Sequence, residues 1–487
     1  MTLSSTELLV GVDVGTTDTK AVLTTMGGVT LGYARRATTW RRTSSGRLES
    51  TAAAFTDGVL ATLRDLLDGY AQRAGARAAV RGLGIAGLAE SGVVLDGHGD
   101  ETSPVIAWFD DRGAAELSAM DPEVVASFSA RTGLPVAAQW SLAKLLWLRG
   151  RGLHLDAASR WLNVPELIAY SLTGQQVNEP SLASRTALVD QGTSRPWAEA
   201  LAVLGVGEAF LPDSVPAGQE AGRVTACPAA PELVGAVVTV AGHDHPVAAV
   251  GAGAAGPQDV FNSCGTAEVL LRSVPRVLDE GERSVLVGLG IDAGAHVLPG
   301  HTALIGGMRS GLVMNRVLAM LGATSPSAKA ALDQGWSPGV GVENVQVTGA
   351  SIHDSDVTIR LREGVTPEAT WAATLDHLAT QTEGLLAAIA GVVGDHTNAV
   401  AAGGWTRMRS VRESKAAVIP RLTFCPVEQP GARGAAVFAA CAAGAGRVEE
   451  LARTFAAGLE PDADQTGVDP ATSTRATQHD RSQRENA

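Results

Sequence analysis

The stretch Leu8-Leu9-Val10-Gly11-Val12-Asp13-Val14-Gly15-Thr16-Thr17-Asp18-Thr19-Lys20-Ala21-Val22-Leu23-Thr24 decides the fold. An apolar run, a polar turn and a second strand-like run follow one another, which reads as a β-hairpin with a polar tip. Thr51 to Ala74 then repeats apolar residues at helical spacing, and Val80 to Leu95 returns to short strands around Gly84-Ile85-Ala86-Gly87 and Val93-Val94-Leu95. Helical patterns recur over Ser141 to Leu148 and Val164 to Leu172, the second closed by Thr173-Gly174 in the manner of a helix C-cap. Interleaved strands and helices predict an α/β fold.

The opening pattern returns in weaker form about 250 residues later, which suggests an internal duplication. There Asp259-Val260-Phe261 is strand-like, Asn262-Ser263-Cys264-Gly265-Thr266 is a polar turn, and Ala267 to Leu271 is strand-like again. Between the copies, the apolar strand Ala236 to Ala241 ends at Gly242-His243-Asp244-His245, and Pro246 to Ala255 reads as a helix. The expected division is residues 1–247 and 248–458, with the boundary near Ala248. A third glycine-marked turn, Ala401-Ala402-Gly403-Gly404-Trp405, follows a strand-like segment and precedes a helical one. Residues 459–487 turn polar and lose periodicity, so they are expected to be a disordered tail.

Composition narrows the class. The chain has 487 residues, enough for two or three domains, and its charge of −13 comes without any Lys/Arg block, which disfavours nucleic acid and anionic membranes as partners. No apolar run approaches the roughly 18 residues needed to span a bilayer. Cys227, Cys264, Cys425 and Cys441 form no C-x-x-C pair, so neither a zinc ribbon nor a disulfide framework is suggested, and a reducing compartment fits. With no basic residue before Lys20 to open a signal peptide, the protein is expected to be cytoplasmic.

None of the four lysines follows a glycine in Walker A spacing, so any phosphate site must be of another kind. Gly82-Leu83-Gly84-Ile85-Ala86-Gly87 and Gly251-Ala252-Gly253-Ala254-Ala255-Gly256 both spell G-x-G-x-x-G, but neither has the strand-turn-helix context of a dinucleotide fingerprint, so packing or turns is the expected role. The first hairpin tip is more informative. Gly15, Thr16 and Thr17 offer N–H and hydroxyl donors in a concave turn suited to phosphate oxygens, and Asp13 beside them could hold Mg²⁺ through water. The second tip, Asn262 to Thr266, has similar chemistry. Gly242-His243-Asp244-His245 lies at a strand end, where α/β proteins place functional groups. Three readings stay open there. Asp244 is a general base for a hydroxyl, or a helix cap with Pro246 opening the helix, or His243 and His245 are metal ligands of a metal-dependent hydrolase.

Taken together, the chain resembles the FGGY carbohydrate kinases from Leu8 to about Gly446. The resemblance rests on Gly11 to Thr17, Ala107-Trp108-Phe109-Asp110-Asp111-Arg112, Lys144-Leu145-Leu146-Trp147-Leu148, Leu172-Thr173-Gly174 and Ala241-Gly242-His243-Asp244. It continues through Cys264-Gly265-Thr266, Glu383-Gly384, Gly403-Gly404-Trp405 and Ala432-Arg433-Gly434-Ala435-Ala436. The resemblance implies two ribonuclease-H-like domains of the actin and sugar-kinase superfamily, closing over a cleft. It also implies ATP- and Mg²⁺-dependent phosphorylation of a sugar hydroxyl, with Asp244 as base, and Asp13 and Asp244 at the metal. Gly15, Thr16, Thr17, Lys20, Gly265 and Thr266 would serve the phosphates, and Gly403 and Gly404, with Gly306 and Gly307 as weaker candidates, the adenosine side.

For the sugar the matching positions are Ala89, Glu90, Trp108 and Gln139, and His245, beside the base, is a further substrate-contact candidate. Glycerol kinases place Arg-Glu where this chain has Ala89-Glu90, and xylulose kinases place Met-His. His245 is a further departure from both groups. A ketose or sugar alcohol of about four to six carbons is the expected substrate class, since Glu90 can accept hydrogen bonds from two hydroxyls. The family's frequent dimers make a homodimer a possible assembly.

Overall fold

The computed structural model describes residues 7–349 and 356–457. The expected tail, 459–487, lies outside the described residues. Two six-stranded sheets carry the chain. The first contains β1 (Glu7–Val14), β2 (Asp18–Thr25), β3 (Thr30–Ala37), β4 (Ala79–Gly87), β5 (Gly222–Arg223) and β6 (Val237–His243), in the order β5-β6-β4-β1-β2-β3. The second contains β7 (Asp259–Cys264), β8 (Glu268–Val274), β9 (Ile291–Ala295), β10 (Thr302–Met308), β11 (Asn398–Ala402) and β12 (Leu422–Phe424), in the order β9-β10-β8-β7-β11-β12.

The duplication is visible in the topology. β1, β2, β3, β4 and β6 correspond to β7, β8, β10, β11 and β12 in order and direction. In each copy an antiparallel hairpin leads, and parallel strands are added on the side of its first strand. The edge strands β5 and β9 break the correspondence. Both expected hairpins are present, with Asp13 opposite Lys20 in the first and Cys264 opposite Glu268 in the second.

Helix α1 (Ala52–Ala74) forms where the 3.6-residue pattern places it. Thr51 caps its start by accepting from the Ala54 amide, Gly75 ends it in the left-handed region at φ 68°, and Phe55, Val59, Leu63, Leu66 and Leu67 form its buried stripe. The helix expected over 246–255 is α2 (Asp244–Gly251), which begins two residues earlier. Ala248, the expected boundary, therefore falls inside a helix. α3 (Pro367–Val393) covers one face of the second sheet.

The last two strands of the duplication each send a helix across to the other half. Ala249 of α2 packs with Phe261, Val269, Leu271 and Ala402 of the second sheet. In return, α4 (Pro430–Ala442) lays Ala432, Ala435, Ala436 and Ala439 against Leu9, Val22, Ala86 and Ala241 of the first sheet. Glycine makes this approach backbone to backbone. A Cβ on Gly11 would lie 1.9 Å from the Ala432 carbonyl oxygen, and one on Gly84 1.9 Å from that of Ala435. The two crossing helices touch in the same way, Gly434 against Val247 and Gly251 against Pro430. The first G-x-G-x-x-G string is thus a packing surface.

Candidate active site

Asp13 is the penultimate residue of β1, and its carboxylate sits 4.0 Å from Lys20 Nζ on the facing strand. Its Oδ1 is buried and has no hydrogen-bond partner among the described residues. Burial pushes the Asp13 carboxyl up to about 6; the negative charge of Asp244 adds to this and Lys20 opposes it. In the turn that follows, the Gly15 amide is already given to the Asp18 carbonyl at 3.1 Å, so it is not a free phosphate donor. Thr38 Oγ1 donates to the Gly15 carbonyl (2.7 Å) and Trp40 Nε1 to that of Thr16 (2.7 Å), which fixes the turn from outside. The amides of Thr16 and Thr17 remain without a partner among the described residues.

Asp244 opens α2 directly after β6, with His243 in the capping position. The helix begins at Asp244 itself and Pro246 is its third residue, so the expected capping arrangement is not the one formed. A carboxylate in the first turn of a helix is favoured by the helix dipole. Asp244 Oδ1 accepts the His245 amide at 2.7 Å and lies 3.2 Å from His243 Nε2 and 3.9 Å from His245 Nε2. Burial holds His243 well below the ordinary imidazole range, so it is neutral. His243 Nε2 is close to Asp244 Oδ1 without making a hydrogen bond to it. From behind, the His243 amide donates to Ser181 Oγ (2.9 Å), and Ser181 in turn donates to Glu179 Oε2 (2.5 Å).

Glu90, beyond the end of β4, is buried and held at φ 63°, in the left-handed region. Its Oε1 accepts from Arg185 Nε at 2.7 Å and is 3.5 Å from Gln139 Nε2. Burial raises the Glu90 carboxyl, Arg185 pulls it back, and Asp244 adds a smaller upward push. Ala89, 1% exposed, is enclosed in the core cluster that also holds Val14 and Leu88. Trp108, half-buried, donates its indole N–H to Thr16 Oγ1 at 2.9 Å and so joins the first tip.

In the second half, Gly265 and Thr266 form the tip between β7 and β8. Gly311 approaches them so closely that a Cβ there would fall 2.2 Å from the Gly265 carbonyl oxygen and 2.8 Å from Trp405 Nε1. Gly403, at φ 122°, lies against the Cys264 carbonyl, and Gly404 beside it is exposed. Gly265, Thr266, Gly403 and Gly404 are therefore brought together, with Gly311 and Trp405 added. Gly306 is not: it lies in the middle of β10, opposite Leu270 and covered by Leu385 of α3, because the alternation of the strand turns it to that face. Gly307, half-buried, occupies the opposite face. Beneath this tip, Lys415 Nζ donates to Glu268 Oε1 (2.6 Å), which also accepts from Asn262 Nδ2 (2.8 Å).

Residues 8–251 match the model of the FGGY family of carbohydrate kinases, N-terminal domain. The chain belongs to this family. It is 32% identical over 290 residues to a glycerol kinase of Thermus brockianus, covering 57% of this chain and 55% of that protein. It is 28% identical over 256 residues to a xylulose kinase of Streptomyces rubiginosus, covering 52% of each. The matches thus span about half the length of these relatives. Plasmodium falciparum glycerol kinase with ADP shares the fold at a TM-score of 0.80, with 94% of each chain covered and 16% identity. FGGY membership fits the two-sheet architecture, that of the actin and sugar-kinase superfamily. His243, Asp244 and His245 do place three ligand atoms within 4.8 Å of one another. With relatives that are kinases, the hydrolase alternative gains no support. Among the described residues, no helix is long and apolar enough to cross a membrane.

Proposed function

We propose that this protein transfers the γ-phosphoryl group of ATP to a hydroxyl of a small ketose or sugar alcohol of about four to six carbons, with Asp244 as general base. The observation that carries the reading is the convergence on Asp244. Asp13 and Glu90 both feel its charge, and His243 Nε2 lies 3.2 Å from its carboxylate. In this reading residues 1–247 supply the sugar site and the base, and residues 248–458 the nucleotide site. The substrate hydroxyl gives its proton to the Asp244 carboxylate as its oxygen bonds to the γ-phosphorus, and the bond from that phosphorus to the bridging oxygen breaks to release ADP.

Phosphoryl transfer asks mainly for alignment and charge neutralisation. Glu90 and Gln139 would hold sugar hydroxyls, with Trp108 as an apolar wall that also pins Thr16. The free amides of Thr16 and Thr17 face phosphate oxygens, and Gly265, Thr266, Gly403 and Gly404 leave room for the nucleotide. The residues fit Mg²⁺: Asp13 has an unpartnered buried oxygen and Asp244 is a second hard donor. Bound there, the ion would neutralise charge on the β- and γ-phosphates. Closure of the halves would exclude water and favour the sugar hydroxyl as acceptor.

The test is ATP consumption against a panel of ketoses and polyols by wild type and Asp244→Asn. The reading expects one or a few sugars to be phosphorylated by wild type, a loss of about 100-fold or more in kcat in the variant, and unchanged ATP affinity. Near-normal turnover by Asp244→Asn would remove Asp244 from the role of base.

A further inference from the structure

A cavity of about 220 Å³ opens at the seam of the two halves and includes none of the residues assigned above to sugar, base or nucleotide. One wall comes from the first half, with Glu179 and Pro216, and the other from the segment 277–302 of the second. Its rim is open, with Val277 49% exposed, while its lining holds two buried polar side chains with a donor left over.

The first is His296, 4% exposed. Its Nδ1 accepts the Leu298 amide at 3.0 Å, and burial holds the ring down to about 3, hence neutral. The single ring proton is therefore on Nε2, and this N–H has no acceptor among the described residues. The second is Arg283, 1% exposed. Nε donates to the Ala130 carbonyl (2.6 Å) and Nη1 to that of Leu278, while Nη2 makes no hydrogen bond and no carboxylate pairs with the guanidinium among the described residues. Asp190, Glu280 and Asp279 act on Arg283 through space without pairing with it, and Asp190 is engaged by Arg131 and by the amides of Gly192 and Thr193. A buried cation with no carboxylate in direct contact and an unsatisfied donor, both lining one cavity, suit an oxygen anion. The walls around them, Leu278, Val297 and Pro216, are apolar. A cavity of roughly 150 Å³ accepts a six-carbon ring, so this one takes a molecule of similar size.

We propose that this cavity binds a small monocarboxylate, with the carboxylate on Arg283 and His296 Nε2 and an apolar body against Leu278 and Val297, and that its occupation slows turnover. The route to the reaction is short. Glu179 in the cavity wall holds Ser181, and Ser181 holds the amide of His243 beside Asp244. A ligand filling the space between Leu278 and Val297 of the second half and Pro216 of the first also resists the opening that product release requires. The effect on turnover rests on the kinase reading; the binding itself does not.

Calorimetric titration of the full chain with sodium butyrate, without sugar or ATP, tests the binding. Saturable binding is expected, at least tenfold weaker for butyramide, and lost in His296→Leu and in Val277→Trp, which blocks the rim from an exposed position and leaves the floor intact. No saturable binding of butyrate, binding equal to that of butyramide, or binding that survives in both folded variants would overturn the site. In turnover assays, saturating butyrate should lower kcat at least twofold without competing with sugar or ATP, and Val277→Trp should be insensitive. An unchanged kcat with binding intact would overturn the link to the base.

Discussion

Arg185 Nε donates to Glu90 Oε1 over 2.7 Å, and the same guanidinium reaches Asp292 Oδ2 at 3.0 Å in the other half while lying over the Trp140 ring. Both side-chain donors to the Glu90 carboxylate go to Oε1, which leaves Oε2 for the hydroxyls of the proposed sugar. Removing one member of a buried pair leaves an uncompensated charge, at a cost of about 3–5 kcal/mol. Arg185→Ala should lower the melting temperature and raise the sugar KM tenfold or more, with ATP KM nearly unchanged. Arg185→Lys should recover only part, since an ammonium cannot bridge Glu90 and Asp292 in one plane. Glu90→Ala should likewise raise the sugar KM far more than that of ATP; equal effects on both would take Glu90 out of the sugar site.

Trp108 and Thr16 give a second test, because their 2.9 Å bond ties the expected sugar wall to the expected phosphate turn. A neutral hydrogen bond contributes about 1 kcal/mol. In a double-mutant cycle on kcat/KM, Trp108→Phe and Thr16→Val should each cost several-fold, and the pair should be less than additive by about 1 kcal/mol. Full additivity would mean the bond has no part in the reaction.

The hairpin of Asp13 and its second copy were legible because local alternation and a polar turn write a hairpin into adjacent residues. Asp244 was legible because ionisable groups at the end of an apolar strand have no structural need to be there. Arg185 was not, since its partner Glu90 is 95 residues away, and Lys415 sits 147 residues from Glu268. Nothing periodic marks such pairs. Ala89 was grouped with Glu90 by family position; that it packs in the core with Val14 depends on a contact between distant residues. The exchange of α2 and α4 between the halves left its trace only as glycines, which read equally well as turns.

Glu179 and Glu166 predict the pH dependence of stability. Burial lifts Glu179 from the ordinary 4.5 to about 7, and Glu166 to about 8, where the charge of Glu179 adds a smaller push. Between the unfolded and folded values the native state holds more protons, so stability is highest near pH 4.5 on this account and falls as pH rises toward 8. Glu179 alone contributes a decline of order 3 kcal/mol. Urea denaturation across this range should show it, and Glu179→Gln, which keeps an acceptor for Ser181 but cannot ionise, should flatten the profile between pH 4.5 and 7. An unaltered slope in that variant would show that Glu179 ionises normally in the fold.

Two glycine-to-alanine changes should act in opposite directions. At Gly84 the new Cβ would sit 1.9 Å from the Ala435 carbonyl oxygen, an atom of helix backbone that no side-chain rotation can move. α4 must then shift as a body, and through the contact of Gly434 with Val247 it carries α2, whose first residue is Asp244. Overpacking of this kind costs about 1–3 kcal/mol or more. Gly84→Ala should therefore lower both the melting temperature and kcat, although Gly84 touches no proposed substrate. Gly58, inside α1 with open space where its Cβ would go, is the counterpart. Alanine there gains about 0.5–1 kcal/mol of helix propensity. Gly58→Ala should raise the melting temperature and leave kcat alone. If the Gly84 variant lost stability at unchanged kcat, the position of Asp244 would not depend on how α4 seats on the first sheet.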